Sequence, residues 1–226
     1  MKHCLGVLSI SLLGAMAHAD PAPPTLTAVV PLPVEQLQAV EANGEILFLS
    51  RNGRFVIQGR LMDAWHKKPL ETIEAIRYAT DHVDVDVMGL PLDQMNTITL
   101  AGGPKRVVVF VDPRCHVCKD FIRQAQERTD QYAFEFVVVP ALGDESNRLS
   151  RGLFCAADKS NALEALLQGT LGQMAQQPNC DTTFYDLTLT TAQLMGVQAV
   201  PFVIAPDGRF RPGAGADIWD WMGQEG

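Results

Sequence analysis

The segment that most constrains the fold of this chain is Cys115-His116-Val117-Cys118, a Cys-x-x-Cys motif. Residues 106–111, just before it, form a nearly continuous apolar run, which is typical of a strand buried on both faces of a sheet. Residues 116–128 carry apolar side chains at helical spacing. The pattern therefore predicts a buried strand that turns directly into a helix, with Cys115 at the turn.

The predicted position of Cys115 favours thiol–disulfide chemistry. Free backbone N–H groups and the positive end of the helix dipole stabilise an anion at a helix start, and the thiolate is the reactive form of cysteine. Arg114 and His116 can add positive charge beside it. Cys118 lies one turn further along, is expected to be more buried, and can reach Cys115. We expect Cys115 to attack a substrate disulfide and Cys118 to resolve the mixed disulfide that results.

Other uses of a Cys-x-x-Cys motif fit this sequence less well. Haem attachment needs His directly after the second cysteine, and Lys119 stands there. A structural zinc site needs two further ligands at suitable spacing, and Cys155 and Cys180 form no second motif. An inert bridge across so small a loop would constrain the unfolded chain little. We therefore expect no metal and no cofactor.

The first nineteen residues have the pattern of a secretory signal peptide. Lys2 precedes an apolar run over residues 4–17, and Ala17-His18-Ala19 matches a small-x-small cleavage site. A membrane anchor is the alternative, but the run is too short to span a bilayer comfortably. Cleavage would remove Cys4, and the even number of cysteines that remains suggests two pairs.

The second expected pair is Cys155 with Cys180, which are 25 positions apart. A bridge over that loop would stabilise the fold by roughly 3–4 kcal/mol on the chain-entropy model. A second exchange pair is the alternative, although this spacing gives no shared helix start.

Upstream of the motif, the sequence predicts a hairpin, a helix and a short strand. Residues 45–50 and 55–61 have strand patterns, and Asn52-Gly53 between them suits a primed turn because both residue types tolerate positive φ. Residues 70–82 have helical spacing, and residues 83–87 alternate like a half-exposed strand. The hairpin is too small to be stable alone, so further strands or a second subunit should cover it.

Downstream, the apolar segments predict a βαβ unit followed by further helices. Gly102-Gly103-Pro104 marks the entry to this domain. Strands are expected at 134–139 and 201–205, and helices at 149–157, 162–174 and 183–195. Pro201 must start its strand or lie at an edge, since it has no N–H to donate. A cis Val200–Pro201 bond would leave the preceding backbone free to pair with an extended substrate, and a trans bond stays open as the alternative.

Composition excludes some partners. The formal net charge is −8, so the chain has no basic surface suited to nucleic acid or an anionic membrane. No later apolar stretch approaches membrane-spanning length.

Several segments together resemble the DsbC/DsbG family of periplasmic disulfide isomerases. The four-cysteine arrangement is much more specific than a lone Cys-x-x-Cys. The likeness covers most of residues 44–222, and it is carried by the hairpin at 44–63, residues 109–119 around the motif, 154–159, 179–181, 196–201 and 205–208.

The resemblance implies an α/β fold built around a thioredoxin-like catalytic domain with a helical insertion. A small α+β (cystatin-like) dimerisation domain and a helical linker would precede it. The expected boundaries are 1–19 for the signal peptide, 20–70 for the dimerisation domain, 71–103 for the linker and 104–226 for the thioredoxin-like domain.

The resemblance also implies an activity and its partners. The protein would be a periplasmic homodimer that reduces or isomerises wrong disulfides in misoxidised or unfolded exported proteins. A membrane reductase of the DsbD type would keep it reduced. The implied roles are catalysis for Cys115 and Cys118, a structural disulfide for Cys155 and Cys180, and redox tuning for His116, Val117, Val200 and Pro201.

Two departures from the family pattern leave the direction of electron flow open. His116-Val117 replaces the usual Gly-Tyr or Pro-Tyr dipeptide of the family. Val200 stands before Pro201 where DsbC and DsbG carry Thr, and the oxidase DsbA has Val there. The alternatives are a DsbA-like thiol oxidase, or a redox chaperone dedicated to one secretion or conjugation apparatus.

Overall fold

A computed structural model describes residues 26–32 and 37–224 of the chain. The predicted signal peptide, its cleavage site and Cys4 lie outside the described residues. In the part of the chain that is described, no helix is long and apolar enough to cross a membrane.

The first structural unit is a four-stranded antiparallel sheet with one covered face. Its strands follow one another in the order β1-β2-β3-β4. They are β1 (Leu26–Pro31), β2 (Leu37–Ala42), β3 (Glu45–Ser50) and β4 (Val56–Ile57). A small hairpin of β5 (Leu61–Asp63) and β6 (Lys68–Leu70) and the helix α1 (Ile73–Asp81) follow. Ile73 and Ile76 of α1 pack in one cluster with Val30, Ala39 and Phe48 of the sheet.

The tight turns of this sheet differ from the sequence prediction. Asn43 and Gly44, between β2 and β3, both have positive φ, at 53° and 78°, as a primed two-residue turn requires. In the predicted turn Gly53 has a positive φ of 69° and Asn52 does not. Asn52 Oδ1 instead accepts hydrogen bonds from Ser50 Oγ and the Arg54 N–H, at 2.7 and 3.1 Å. These bonds stabilise a longer loop, so the primed turn predicted at Asn52-Gly53 is wrong.

The segment after α1 is helical rather than extended. Asp84 caps the short helix α2 (Val85–Met88) by accepting from the N–H groups of Asp86 and Val87. The strand predicted at residues 83–87 is therefore wrong, because a capping carboxylate favours a helical turn where alternation alone suggests a strand.

The second unit is a five-stranded mixed sheet in the order β11-β10-β8-β9-β7. The strands are β7 (Thr97–Leu100), β8 (Lys105–Val111), β9 (Tyr132–Val138), β10 (Phe202–Ile204) and β11 (Phe210–Pro212). β8 and β9 are parallel and the remaining pairs are antiparallel. The central strand β8 is buried from Val107 to Val111, as its apolar sequence predicts.

Six helical segments cover the two faces of this sheet. They are α3 (His116–Gln126), α4 (Asp144–Phe154), α5 (Ala162–Gln168), a 3-10 turn (Leu171–Gln173), α6 (Thr183–Leu194) and α7 (Ile218–Gly223). The helix predicted at 162–174 is interrupted at Gly169, whose left-handed backbone ends α5. One apolar cluster joins the sheet to α3, α5 and α7, and a second joins it to α2 and α6.

The structure divides the chain differently from the expected boundaries at 70/71 and 103/104. Helix α1 belongs to the core of the first sheet, and β7 pairs with β9 in the second sheet. Val83, Val85 and residues up to Met95 pack into the second core. Most of the stretch expected to be a linker is therefore part of one unit or the other.

Candidate active site

Cys115 is the N-cap residue of α3, at the end of the buried strand β8. Its sulfur accepts a hydrogen bond from the Cys118 N–H at 3.1 Å. It also lies 3.7 Å from the carbonyl oxygen of Val200. The Cys115 N–H donates to the Asp112 carbonyl at 3.1 Å, which closes the turn. The helix-start position that the sequence predicts for this cysteine is the observed one.

Cys118 lies one turn into α3 and is fully buried. Cys115 and Cys118 are both free thiols in the structure. Burial raises the pKa of the Cys118 thiol above its usual range, and the adjoining Cys115 sulfur acts in the same direction, while a backbone hydrogen bond from Asp112 partly opposes them. The buried cysteine is thus held in its protonated, less nucleophilic form.

Val200 and Pro201 face the dithiol from the loop before β10. The Val200–Pro201 bond is cis, the alternative that sequence alone left open. Pro201 is buried, and its carbonyl oxygen accepts from the Gly213 N–H at 2.7 Å. The loop places the Val200 carbonyl against the Cys115 sulfur.

A buried carboxylate accepts hydrogen bonds from the segments around the turn that carries Cys115. Asp112 is fully buried, and its Oδ1 accepts from the Arg114 N–H at 2.7 Å and from Ser146 Oγ at 2.9 Å. Its Oδ2 accepts from the Leu142 N–H at 2.8 Å. The sequence analysis assigned no role to Asp112, Ser146 or Leu142. A charged residue directly after a buried strand was the available signal.

The side chains exposed around the dithiol include both polar and apolar groups. His116 is exposed, and Val117 and Leu142 present apolar surface with 36% and 50% of their area exposed. The Arg114 guanidinium reaches the Leu142 carbonyl at 3.5 Å. His116 and Val117 thus lie beside Cys115, while their predicted influence on the redox potential stays a prediction.

Cys155 and Cys180 lie away from this turn and are joined by a disulfide. The S–S distance is 2.01 Å and the Cα atoms are 5.5 Å apart. Cys155 is the C-cap residue of α4. The bridge therefore ties the end of a helix to the loop that precedes α6. Among the described residues, no group of three or more His, Cys, Asp or Glu side chains is arranged to hold a metal ion.

A dithiol at a helix start, opposite a cis-proline loop on a mixed sheet, defines the class of thioredoxin-like dithiol oxidoreductases. Residues 17–72 match the family model described as the disulfide bond isomerase protein N-terminal domain. The chain as a whole is similar to thiol:disulfide interchange proteins of the DsbC and DsbG type.

Individual relatives are distant. The thiol:disulfide interchange protein DsbC of Dickeya dadantii is 23% identical over 184 residues, which cover 80% of this chain and 73% of that protein. DsbG of Pseudomonas aeruginosa is 27% identical over 192 residues, covering 80% and 74%. The probable DsbC of Bordetella avium is 27% identical over 136 residues, and the match spans less than half of it, 46%. A solved disulfide interchange protein from Neisseria gonorrhoeae aligns with a TM-score of 0.46 and 21% identity, covering 59% of this chain and 96% of that one.

Proposed function

We propose that this protein acts in the periplasm on wrong disulfides of exported proteins, with Cys115 as the nucleophile and Cys118 as the resolving thiol. The observation that carries the proposal is the position of the Cys115 sulfur. It caps α3, where backbone N–H groups stabilise a thiolate. It is nearly buried, with 7% of its area exposed, and it lies 3.7 Å from the Val200 carbonyl, whose backbone can pair with an extended client.

The first step forms a mixed disulfide. The Cys115 thiolate attacks one sulfur of a client disulfide, a Cys115–client S–S bond forms, and the client S–S bond breaks. The second client sulfur leaves as a thiolate and can take a proton from solvent. No net oxidation has occurred at this stage, because one disulfide has replaced another.

The mixed disulfide can be resolved by either of two reactions. A different client thiolate can attack the client sulfur of the mixed disulfide, which forms a new client disulfide and returns Cys115 unchanged. Alternatively Cys118 loses its proton and attacks the Cys115 sulfur. The Cys115–Cys118 bond then forms, the client thiol is released, and the client gains the two electrons that the enzyme loses. We assign the re-reduction of the enzyme to a membrane reductase of the DsbD type.

A second copy of the chain is the proposed partner of the first sheet. Its last strand, β4, lies at the edge of the sheet. Phe55, Val56 and Ile57, in and beside β4, each expose more than half of their area. An apolar edge strand with unpaired backbone groups favours pairing with another chain. Sedimentation of the mature protein should show a dimer, and replacement of Val56 and Ile57 by Lys should yield monomers.

Clients with exposed apolar segments suit the surface beside the cis-proline loop. A groove of about 370 Å³ lies between the loop after β9 and the end of α6. Val139, Pro140, Ala192 and Val197 are among its lining residues. Misfolded chains display apolar side chains that folded proteins bury, so this groove favours them over native clients.

Refolding of scrambled ribonuclease tests the proposed activity. The reduced protein should accelerate recovery of ribonuclease activity, and Cys115→Ala should abolish the acceleration. A matched control is Cys155→Ala/Cys180→Ala, which removes the other pair and leaves the dithiol in place. Equal rates with the wild type and Cys115→Ala would show that the proposed function is wrong.

A thiol oxidase is the second candidate, and Val200 is the observation that favours it. This residue lies against Cys115, and the resemblance gives Val at this position to the oxidase DsbA. Equilibration with glutathione buffers measures the potential of the Cys115–Cys118 pair. A value near the roughly −120 mV of DsbA would favour the oxidase, and a markedly lower value would favour the isomerase.

A further inference from the structure

We propose that Arg114 selects clients in which an acidic residue lies beside the cysteine that Cys115 attacks. Arg114 directly precedes the nucleophile in the chain, and its side chain is exposed. The proposal rests on the proposed function, because it names a class of substrate for the same site and adds no new chemistry. Arg114 acts here as a specificity-determining residue, which binds the client and takes no part in the exchange of sulfur bonds.

The backbone of Arg114 is held in place from inside the protein. Its N–H donates to Asp112 Oδ1 at 2.7 Å, and Asp112 Oδ2 accepts from the Leu142 N–H at 2.8 Å. Asp112 is fully buried, and Ser146 Oγ also donates to it, at 2.9 Å. The carboxylate thus joins the turn that carries Arg114 to the loop that carries Leu142, which limits the positions open to the Arg114 side chain.

The guanidinium of Arg114 has donors left for a ligand. Its Nη1 lies 3.5 Å from the Leu142 carbonyl oxygen, at the long end of hydrogen-bonding range. Within residues 26–32 and 37–224 this is the side chain's one hydrogen bond, and it forms no ion pair there. A guanidinium presents its N–H donors in a planar fork that matches a carboxylate. Leu142 exposes half of its area beside it, so a client with an acidic and an apolar residue near its cysteine can contact both side chains.

Two acidic side chains on the flanking helices are already paired. The pKa of Glu145, on α4, is lowered first by hydrogen bonds from Arg148, at 2.6 and 2.9 Å, and to a smaller extent by the charge of Arg114. Asp120, on α3, is paired with Arg123 at 2.7 Å. Neither carboxylate therefore competes strongly with a client for the Arg114 guanidinium.

Three further charged or titratable groups lie on the same two helices. His116 is exposed beside Cys115 and becomes a cation when it is protonated. Lys119 extends toward Gly169 at the end of α5. Asp144 lies in the first turn of α4, where the free N–H groups of the helix start offset its charge. The uncompensated charges on this side of the dithiol are thus mainly positive, although the whole chain carries −8, and they favour the approach of an anionic client.

Symmetric disulfides of a short peptide test this preference. In three versions of the peptide the cysteine is flanked on both sides by Glu, by Gln or by Lys, and the two sulfurs of each disulfide are equivalent. Cys118→Ala serves as the background, because without the resolving thiol the mixed disulfide with Cys115 accumulates. Acid quenching followed by mass spectrometry measures its rate of formation. Comparing each peptide between Arg114 and Arg114→Gln removes the peptide's own reactivity from the result.

The expected effect depends on the charge of the peptide. At low ionic strength Arg114→Gln should lower the rate with the Glu peptide roughly three- to tenfold more than the rate with the Gln peptide, and it should favour the Lys peptide. About 0.5 M NaCl should remove most of this difference. Arg114→Lys should keep much of the preference, because it keeps the charge. Arg77→Gln is the matched control, since it removes the same charge from an exposed position on α1, and it should leave the ratios unchanged.

Each outcome decides the proposal. An equal loss of rate with all three peptides would mean that Arg114 acts on Cys115 and not on the client, which overturns it. Unchanged rates, or the same change of ratio in Arg77→Gln, would overturn it as well. If Arg114→Gln does not fold, the salt dependence of the Cys118→Ala protein decides: the ratio of the Glu to the Lys rate should fall as salt is added, and a constant ratio contradicts the proposal. Absence of adducts with every peptide while Arg114 is in place would instead refute the proposed function.

Discussion

Each cysteine pair of this protein has one member that caps a helix, and the two caps lie at opposite ends. Cys115 caps the start of α3, whereas Cys155 caps the end of α4. A helix start stabilises a thiolate through its free N–H groups, and a helix end destabilises one through its free carbonyl groups. The helix start therefore suits the proposed exchange at Cys115, and the helix end suits the lasting bridge at Cys155. The backbone around each cysteine, more than the spacing within each pair, explains the difference.

The largest expected effect separates the two members of the reactive pair. Cys118→Ala should retain attack by Cys115 but lose resolution, so mixed disulfides with clients should accumulate and insulin reduction should fall by roughly a hundredfold or more. Non-reducing electrophoresis of the protein incubated with scrambled ribonuclease would detect the adducts. Cys115→Ala should form none. Adducts that form equally in both variants would mean that the nucleophile is assigned incorrectly.

The next effect concerns the bridged pair. Cys155→Ala/Cys180→Ala should lower the free energy of unfolding by about 3–4 kcal/mol, because the unfolded chain regains the freedom of a 25-residue loop. Urea unfolding followed by circular dichroism measures the change. Turnover at 25 °C should stay close to the wild type as long as the variant is folded. A hundredfold loss of activity in a folded variant would contradict a purely structural role.

A smaller effect should appear in the pH dependence of stability. The pKa of Cys118 is raised by burial in the folded protein, so the folded state holds this proton more tightly than the unfolded state. The contribution is complete below the unfolded pKa, near 9, and is lost as the pH rises above it. The loss should be about 1.4 kcal/mol per pH unit.

Urea titrations of the reduced protein between pH 8 and 10.5 measure this slope. The wild type should lose stability more steeply than Cys118→Ala, in which the titrating thiol is absent. Cys155→Ala/Cys180→Ala should keep the steeper slope because its dithiol is intact. Parallel curves for the wild type and Cys118→Ala would exclude a strongly raised pKa at this thiol.

The smallest expected effect lies on the rim of the reactive pair. Val117→Ser and Leu142→Ser each remove part of an exposed apolar surface beside Cys115. Burial of that surface by an unfolded client is worth about 1 kcal/mol or less, so KM should rise roughly two- to fivefold with kcat unchanged. Val87→Ser is the matched control, since α2 also exposes Val87 but lies by Arg106 at the other end of β8. Equal changes in all three variants would exclude specific client contact.

The sequence predicts best what depends on continuous patterns. The apolar run of β8 and the helical spacing after Cys115 each extend over many residues, so the strand, the helix and the position of the thiol between them are as expected. Local structure that depends on a single side chain is harder to predict from the sequence. Alternation suggested a strand at residues 83–87, yet the Asp84 cap starts a helix there.

Long-range pairing also escapes such reasoning. Strand β7 has four residues, and its partner strand β9 lies more than thirty residues away, so no local pattern indicates it. Asp112 shows the same limit. Its partners Leu142 and Ser146 approach from the segment after β9, and only the folded chain brings them to the carboxylate.

The junction between the two units is short and closely bonded. His82 forms a bridge with Arg209, and the Val83 N–H donates to the Gly208 carbonyl at 2.8 Å. The Asp84 N–H donates to His66 Nε2 at 3.2 Å. A side chain at Gly208 would come within 2.8 Å of the Val83 carbonyl, so the chain crosses here in close contact. A transfer of the second unit to another protein must therefore include the chain from residue 82 onward, because a cut at residue 104 would remove the edge strand β7 and part of the core.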